Sequence, residues 1–295
     1  MANYILENEI LKVTIRSQGA ELISIMKKET ATEYLWCADK KYWEWTSPIL
    51  FPLVGGLRDK QYTYEGKTYP MMQHGFARDY EHEVTEQSET QIWFAFSDTE
   101  ETQKIYPFAF KLEIGYVLEG NNIQVKWRVT NTDNKTLYFS IGAHPAFMCP
   151  LNGNGVQTDY YLGFETDKDE LQYKLIDLSC NLIADKEYPL PLENGLYQLT
   201  KDRFDLDALV IEEKQTGKMW LAGPDKKPYV TVTFDTPLFG IWSPAKKDAP
   251  FVCIEPWYGR SDGCEFYGSW EERKYGNQLE PKEVFERGYL ITINE

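Results

Sequence analysis

The chain has 295 residues, of which 42% are hydrophobic and 26% charged, a composition typical of a globular protein with a sizeable core. Its 31 lysines and arginines against 46 aspartates and glutamates give a formal net charge of −15. Such a field repels phosphate backbones and anionic lipid, so we expect neither nucleic acid nor a membrane as a partner. A small anionic substrate is still compatible with this charge. Arginines in a binding site act at short range, whereas salt screens the negative charges that lie farther away.

The cysteines and the N-terminus bear on the compartment. No two cysteines have the C-x-x-C spacing of a zinc or redox site, and their odd number indicates a reducing compartment. The five are Cys37, Cys149, Cys180, Cys253 and Cys264. Residues 1–10 carry acids where a signal peptide needs basic residues followed by an apolar run. No segment approaches the roughly 18 apolar residues of a membrane span. We therefore expect a cytoplasmic protein.

Apolar residues alternate with polar ones along most of the chain, which predicts short, half-buried strands. Residues 4–36 form the first predicted hairpin, with its turn at Gly19, and residues 62–69 form another. Further strands are predicted at 80–86, 91–97, 109–118, 122–130, 136–141, 160–164, 171–176, 207–213, 218–222, 229–234, 239–242, 251–254 and 285–293. We predict a hairpin over 207–222, around a Thr-Gly turn. Short helices are predicted near 40–45, 98–105 and 269–274.

Many short strands without βαβ alternation indicate an all-β fold, an antiparallel sandwich or barrel. We find no internal repeat and no linker rich in proline, glycine or serine. The simpler interpretation is therefore one domain over residues 1–295.

Two of the three histidines stand where regular structure is predicted to stop. His74 lies in the segment QHGFARD and His144 in the segment GAHPAF. Imidazole titrates nearest neutrality, so either side chain is suited to proton transfer. The competing interpretation is a pair of loop histidines satisfied by backbone hydrogen bonds. The third, His82, lies on a predicted alternating strand, and we assign it to a solvated face.

A single carboxylate follows an apolar strand. Glu255 comes after the run FVCI and before a Pro-Trp pair, which predicts partial burial. Burial raises a carboxyl pKa and makes the group a usable base. A carboxylate that caps a turn or pairs with an arginine fits the same pattern equally well.

Other side chains are candidates for holding a substrate. Arg58 and Arg78 are each followed by an aspartate, and their forked donors suit a sugar hydroxyl or a phosphate, although a surface Arg-Asp pair looks the same. Asp207, at the start of a predicted strand, is a hydroxyl acceptor or a turn residue. Aromatic faces that suit sugar C–H surfaces are offered by Trp36, Trp43, Trp242 and Trp257. No metal-binding spacing and no Walker or Rossmann loop is present in the sequence, so we expect no metal or cofactor.

Taken together, the motifs FPLVG with a following Arg-Asp, QHGFAR, GAHPAF and IEPW resemble, in order and spacing, the aldose 1-epimerase (galactose mutarotase-like) family and its LacX-like branch. The resemblance runs from the first hairpin to the last strand. It implies a large β-sandwich of the galactose mutarotase-like supersandwich type. It also implies interconversion of the α and β anomers of an aldose, without a cofactor.

The resemblance also implies roles for single residues. Glu255 matches the general base that takes the proton from the C1 hydroxyl, and His144 matches the general acid that protonates the ring oxygen. His74 matches a second active-site histidine that hydrogen-bonds the sugar near this oxygen. Substrate contacts are expected from Gln73, Arg58, Arg78, Asp207 and Trp257.

The sequence departs from the galactose-specific enzymes in one segment. Those enzymes carry a Gly-Arg-rich stretch with an asparagine before their arginine, where this chain has VGGLR, ending at Arg58. The substrate therefore stays open between a free aldohexose and a hexose 6-phosphate, and we expect a monomer or a homodimer.

Two other functions compete with epimerisation. A non-catalytic sugar-binding or sensory module needs no acid–base pair, whereas the motifs supply one. A glycoside hydrolase or lyase is also open, but hydrolysis normally uses two carboxylates, and only Glu255 is placed by a motif.

Overall fold

The computed structural model describes residues 1–294 and consists mainly of short strands, as the all-β expectation required. The strands are β1 (Asn3–Glu7), β2 (Leu11–Arg16), β3 (Glu21–Lys27), β4 (Thr32–Glu33), β5 (Ile49–Leu50), β6 (Gln61–Tyr64), β7 (Lys67–Pro70), β8 (Glu83–Gln87), β9 (Gln91–Ser97), β10 (Phe110–Glu119), β11 (Asn122–Asn131), β12 (Leu137–Phe139), β13 (Ile141–Ala143), β14 (Ala146–Met148), β15 (Tyr161–Phe164), β16 (Glu170–Asp177), β17 (Leu182–Pro191), β18 (Leu196–Gln198), β19 (Leu209–Ile211), β20 (Lys218–Ala222), β21 (Pro228–Phe234), β22 (Leu238–Trp242), β23 (Phe251–Tyr258), β24 (Asn277–Leu279) and β25 (Val284–Ile293).

Helical structure within residues 1–294 is limited to single 3-10 turns. They lie at Arg58–Lys60, Ala77–Asp79, Thr102–Lys104, Leu151–Gly153, Gln157–Asp159 and Trp270–Glu272. None of the residues from 1 to 294 belongs to a helix long and apolar enough to cross a membrane. The helix predicted near 40–45 is absent, and the two predicted near 98–105 and 269–274 are reduced to one turn each.

Two large antiparallel sheets form the body of the molecule. One has nine strands in the order β18-β15-β20-β21-β25-β11-β10-β9-β8, and the other has eight, β17-β16-β19-β22-β23-β13-β5 with β14 paired to β23. A four-stranded sheet, β1 to β4, and the pairs β12-β24 and β6-β7 complete the architecture. Aromatic side chains bridge the two large sheets, with ring centroids 5.0 Å apart for Phe234 and Phe239 and 5.2 Å apart for Phe285 and Tyr258. The sandwich expected from the sequence is confirmed.

Strand β23 is buried along its whole length, so both of its faces are covered. Side chains alternate between faces with a period of two. Val252, Ile254 and Tyr258 belong to the main core between the sheets, whereas Trp257 packs in a separate apolar cluster on the other face. The same alternation puts Glu255 on the face that points away from the main core.

The predicted hairpin over 207–222 is wrong. β19 pairs with β16 and β22 in the eight-stranded sheet, whereas β20 pairs with β15 and β21 in the nine-stranded sheet. The chain between them crosses from one layer of the sandwich to the other. The alternating pattern identifies a strand but carries no information about its partner, which is why the sequence suggested a hairpin.

Strand β17 was not predicted, because its sequence contains Pro189 and Pro191. Proline lacks the N–H that a central strand needs, and it is tolerated mainly on edge strands. β17 is the edge strand of the eight-stranded sheet, which explains how the two prolines are accommodated.

His82 does not lie on a solvated face as predicted. It stands just before β8 and is 2% exposed, with its ring centroid 5.2 Å from that of Phe96. Its backbone N–H donates to the carbonyl of Ser17, 2.9 Å away, so a contact with another segment buries it. Burial lowers the pKa of His82 to about 4.

We expect the buried His82 to make the protein sensitive to acid. Between pH 6.5 and about 4 the unfolded chain binds a proton at this position that the folded chain does not, so stability falls as the pH falls through this window. His82→Phe should therefore lose about 2 kcal/mol less unfolding free energy than the wild type between pH 8 and pH 5. Denaturant titrations of both proteins at the two pH values measure this difference. Equal losses would contradict the assignment.

Candidate active site

A cavity of about 430 Å³ opens on the outer face of the eight-stranded sheet. The candidate site residues named from the sequence line it, with two exceptions, Arg58 and Trp36, the second of which is buried against Phe251. Those that line it are Trp43, Gln73, His74, Arg78, His144, Asp207, Trp242, Glu255 and Trp257. Such a volume suits a small molecule of the size of a monosaccharide or slightly larger.

Three neighbouring strands bring the central residues together. Glu255 lies on β23, and β13 and β14 both pair with β23 in one register, Gly142 opposite Trp257 and Ala146 opposite Cys253. His144 lies between β13 and β14. Because both strands have the same register on β23, His144 is opposite Glu255. Directly opposite residues of antiparallel strands project to the same face. His144 Nε2 and Glu255 Oε2 accordingly lie 3.1 Å apart.

Glu255 is 1% exposed, and its Oε2 is in contact with His144 Nε2 at 3.1 Å without the alignment of a hydrogen bond, so it accepts no hydrogen bond from the described residues. Burial, and in second place the negative charge of Asp207, raise the pKa of Glu255 well above its usual range. The carboxyl group therefore holds a proton more strongly than a glutamate in water. This is the environment in which a carboxylate is a strong base.

His144 is 6% exposed and enclosed by aromatic rings. The ring of Trp43 packs against it with centroids 4.6 Å apart, and Trp242 meets it edge to face with centroids 5.3 Å apart. Burial, with a smaller contribution from the charge of Arg78, lowers the pKa of His144 to about 3. Burial thus favours the uncharged form of both His144 and Glu255, so a proton shared by the pair is drawn towards the carboxyl group.

Backbone contacts fix the position of His74. A β-bridge joins Gly75, the next residue, to Phe51, which directly follows the edge strand β5. The two backbones approach so closely that a side chain on Gly75 would meet the Phe51 carbonyl at 2.3 Å. Both His74 (φ +68°) and Gly75 (φ +69°) have positive φ. The backbone N–H of Gly55 donates to His74 Nδ1 at 3.1 Å. In the neutral ring the proton must therefore sit on Nε2.

His74 and His144 meet edge to face, with ring centroids 5.6 Å apart and planes at 86°. Burial, followed by the charge of His144, lowers the pKa of His74 well below its usual range. The two histidines thus repel each other's charged forms, and at neutral pH His74 is an uncharged donor through Nε2.

Arg78 lies in the 3-10 turn that follows the His74 loop. Its guanidinium stacks over the ring of Trp45 at 5.0 Å and donates to the carbonyl of Gln73 at 3.1 Å. Burial lowers its pKa, and its Nε is buried without a partner among the described residues. An unpaired donor at the wall of a cavity is suited to binding an acceptor on a ligand.

Asp207 adopts a positive φ of +73° before β19, and its Oδ1 accepts the N–H of Ala208 at 2.7 Å. Burial raises the pKa of this carboxyl group. Hydrogen bonds from the Ala208 backbone and from the Trp242 side chain partly offset this rise.

Trp257 forms an aromatic part of the cavity wall, and two glycines make room for it. A side chain on Gly240 would meet the ring at 2.5 Å, and one on Gly142 would meet it at 2.7 Å. Both glycines lie on strands that pair with β23. The indole of Trp257 therefore lies against the neighbouring strands at Gly142 and Gly240, where any larger residue would collide with it.

Arg58 is not in this cavity, although the sequence motif suggested it. It lines a separate cavity of about 150 Å³, where it stacks on Tyr267 at 4.3 Å. Its guanidinium also donates to the carbonyls of Phe266, at 3.4 Å, and Cys264. Arg58 and Arg78 have the same local sequence, an arginine followed by an aspartate. The tertiary fold nevertheless places them in different cavities.

Several residues of the cavity wall were not identified from the sequence. Besides the apolar Ile176 and Ala208, they include Trp45, Asn181 and Ser261. Ser261 Oγ accepts the N–H of Gly56 at 2.7 Å, and Asn181 has a positive φ of +55° in the turn between β16 and β17. Neither Ser261 nor Asn181 stands in a sequence motif. Trp45 is brought to the cavity by its contact with Arg78, which is distant in the sequence. No local pattern therefore identified these residues.

Metal-ligating atoms of His144, Cys253 and Glu255 lie within 4.8 Å of one another. Burial and the charge of Glu255 raise the pKa of the Cys253 thiol well above its usual range. A thiol binds a metal as the thiolate, so this shift opposes metal binding. The three groups fit acid–base chemistry better than a metal centre.

Comparison with known proteins shows the family and the fold of the chain. The family model for aldose 1-epimerase matches residues 3–265. The chromosomal protein LacX of Lactococcus lactis subsp. lactis is 31% identical over 98% of both chains. A galactose mutarotase related enzyme from Lactobacillus acidophilus is 34% identical, with a TM-score of 0.92 over 100% of this chain and 98% of that one. A galactose mutarotase-like protein from Lactobacillus casei is 31% identical, with a TM-score of 0.92 over 99% and 100%.

The likeness of fold extends to more distant proteins. A galactose mutarotase-like protein from Clostridium acetobutylicum is 15% identical, with a TM-score of 0.73 over 98% of this chain and 95% of that one, which shows a common fold. The matched family model and the LacX relatives each cover most of the chain. The chain therefore belongs to the aldose 1-epimerase family.

Proposed function

We propose that this protein interconverts the α and β anomers of a neutral aldohexose by opening and closing the sugar ring. The observation that carries the proposal is the buried pair of Glu255 and His144, with Nε2 and Oε2 3.1 Å apart at the wall of a sugar-sized cavity. Ring opening needs one group to remove a proton and another to supply one. A carboxylate and an imidazole in contact provide both.

The reaction begins when the Glu255 carboxylate takes the proton from the C1 hydroxyl and the His144 imidazolium gives its proton to the ring oxygen. The bond between C1 and the ring oxygen breaks, which leaves an open-chain aldehyde. After rotation about the C1–C2 bond, the ring closes on the other face of the aldehyde and the two proton transfers reverse. The pair ends with the proton it started with, so turnover consumes nothing.

The protonation of Glu255 and His144 is consistent with these proton transfers. Burial favours a protonated Glu255 beside a neutral His144, and the reactive form, an ionised Glu255 beside a protonated His144, contains the same number of protons. A bound sugar, by donating to the carboxylate and accepting from the imidazolium, stabilises the charged form. The cavity therefore needs no exchange with solvent to become reactive.

The other cavity residues position the ring. His74, which carries its proton on Nε2, is the donor next to the ring oxygen, while Asp207, Arg78 and Gln73 hold hydroxyl groups. The faces of Trp43 and Trp257 pack against the C–H surface of the sugar.

We infer a neutral sugar rather than a hexose 6-phosphate from the charges of the lining. Arg78 is the one lysine or arginine among the described residues that line the cavity, and it shares the wall with the carboxyl groups of Asp207 and Glu255. Its guanidinium is already stacked on Trp45. Arg58, the second candidate phosphate ligand, lies outside the cavity. A dianionic phosphate normally needs more positive charge than this.

The test is anomer interconversion followed by polarimetry or saturation-transfer NMR. Glucose, galactose and their 6-phosphates are each compared with the spontaneous rate. We expect saturable acceleration on a neutral hexose. A higher kcat/KM on a 6-phosphate would overturn the substrate class, and binding without acceleration on any sugar would identify a non-catalytic sugar-binding module.

The two arginines should behave differently in this assay. Arg78→Ala should lower kcat/KM by about 10- to 100-fold, the value of a lost hydrogen bond from a charged group, because Arg78 is a charged donor that lines the cavity. Arg58→Ala is the matched control and should leave kcat/KM within about twofold of the wild type, because its contacts are outside the cavity. Equal losses in both variants would show that Arg78 has no special role.

A further inference from the structure

Two cysteines that are far apart in the sequence meet close to segments that line the cavity. Cys180 and Cys264 are separated by 84 positions, and their sulfur atoms lie 2.9 Å apart. Cys180 lies in the turn that follows β16, and Cys264 lies in the segment that follows β23. Both thiols are partly exposed, so a small reagent can reach them.

Backbone hydrogen bonds, rather than a chance surface contact, bring the thiols together. Ile183 donates to the carbonyl of Asp262 at 2.9 Å, and Cys264 donates to the carbonyl of Ile183 at 3.0 Å, so the start of β17 is paired with the second segment. The carbonyl of Asp177 accepts the N–H groups of Cys180 and Asn181, which folds the turn back over this pairing.

The two segments that carry the thiols also form part of the cavity wall. Asn181 follows Cys180 directly, and Ser261 comes three residues before Cys264. Ser261 in turn holds the loop of Gly56 through its hydroxyl group. A covalent bond between the sulfur atoms would therefore join two segments of the cavity wall that backbone hydrogen bonds already hold together.

We propose that Cys180 and Cys264 are an oxidisable dithiol that forms an intramolecular disulfide by exchange with a low-molecular-weight disulfide, and that this bond ties together two segments of the cavity wall. In the first step the Cys180 thiolate attacks the small disulfide, which forms a mixed disulfide and releases one small thiolate. In the second step the Cys264 thiolate attacks the Cys180 sulfur and releases the second small thiolate. The two cysteines lose two protons and two electrons, and the small disulfide accepts the electrons.

The surroundings of Cys264 set the order of these steps. Burial, and then the hydrogen bond and charge of Cys180, raise the pKa of Cys264 to about 12, so it stays protonated while Cys180 attacks. Conversion of Cys180 to the mixed disulfide removes its charge and eases the deprotonation of Cys264. The charge of Arg58, whose guanidinium donates to the Cys264 carbonyl, also favours the thiolate.

A shared metal ion is the main alternative, because ligand atoms of Asp177, Cys180 and Cys264 lie within 4.8 Å of one another. Two thiolates bound to one zinc at about 2.3 Å in a tetrahedron keep their sulfur atoms about 3.7 Å apart. The observed 2.9 Å is closer than that. The geometry therefore favours a bond between the sulfur atoms.

The remaining cysteines supply controls. Cys149 and Cys253 are fully buried in the core clusters, and Cys37 is exposed. Reduced full-length protein is treated with oxidised glutathione, its free thiols are alkylated after denaturation, and its peptides are mapped by mass spectrometry with and without a reductant. Cys180→Ser, Cys264→Ser and Cys37→Ser variants are treated in the same way.

We expect a peptide pair joined through Cys180 and Cys264 in the wild type and in Cys37→Ser, and no such pair in the other two variants. The oxidised protein should unfold at a higher temperature, because the bond closes a long loop in the unfolded chain. It should also show slower backbone hydrogen exchange in residues 177–183. Both changes should reverse on reduction.

Three results would overturn the proposal. They are glutathione attached to Cys180 without transfer to Cys264, oxidation confined to Cys37, and stoichiometric zinc binding that protects both thiols and is lost in Asp177→Asn. None of these measurements depends on turnover, so the proposal stands or falls independently of the proposed epimerase activity.

Discussion

Glu255→Gln is expected to lower kcat/KM for anomer interconversion by about 10²- to 10⁴-fold, the range that a positioned acid or base contributes. The amide has the shape of the carboxyl group but cannot take the proton from the C1 hydroxyl. Because the native carboxyl is buried and its pKa is raised, a neutral amide is well tolerated in the folded protein. Sugar affinity should therefore persist while the rate is lost.

The matched control for this variant is Glu89→Gln, an exposed glutamate in the turn between β8 and β9. It should retain the wild-type rate. Kinetics by polarimetry and binding by titration calorimetry are measured on both variants. A Glu255→Gln protein that is folded and still accelerates interconversion at the wild-type rate would remove Glu255 from the mechanism.

His144→Gln is expected to cause a loss of about 10²- to 10⁴-fold by the same reasoning, because it removes the acid that protonates the ring oxygen. The two losses should not add in the double variant, since Glu255 and His144 act as one unit through a shared proton. His82→Phe is the matched control, because His82 is buried elsewhere in the fold and should leave the rate at neutral pH unchanged.

The pH dependence separates a proton-sharing role from a purely structural one. In the wild type a second proton enters the pair only near the lowered pKa of His144, about 3, and the last proton leaves only at the raised pKa of Glu255. The rate should therefore be flat between these two pKa values. In His144→Gln, Glu255 must ionise alone, so the residual rate should rise with pH through its raised pKa. A flat residual profile over that range would contradict the shared proton.

A buried carboxyl group in contact with a buried imidazole has a cost in stability, because neither can be solvated. Burial shifts the pKa values of both groups towards their neutral forms, and the aromatic rings of Trp43 and Trp242 maintain this exclusion of water. The same exclusion strengthens the electrostatic interactions between the pair and a bound sugar.

Local patterns determined the all-β class and a list of candidate residues. A glutamate after an apolar strand and histidines at the ends of predicted strands made Glu255, His144 and His74 candidates, but the same patterns also fitted purely structural roles. The resemblance of the motifs to the aldose 1-epimerase family, and not local chemistry alone, favoured the functional interpretation. The fold class needed no such help, because the period of a strand is contained in consecutive residues.

The tertiary structure decided everything that depends on which segments are neighbours. It set His144 opposite Glu255 through the register of β13 and β14 on β23, and it separated Arg58 from Arg78 although both precede an aspartate. It also brought Cys180 to Cys264 and placed the strands at 209–211 and 218–222 in different sheets. Strand pairing is a contact between distant parts of the chain, chosen by the packing of the whole core, so no local pattern contains it.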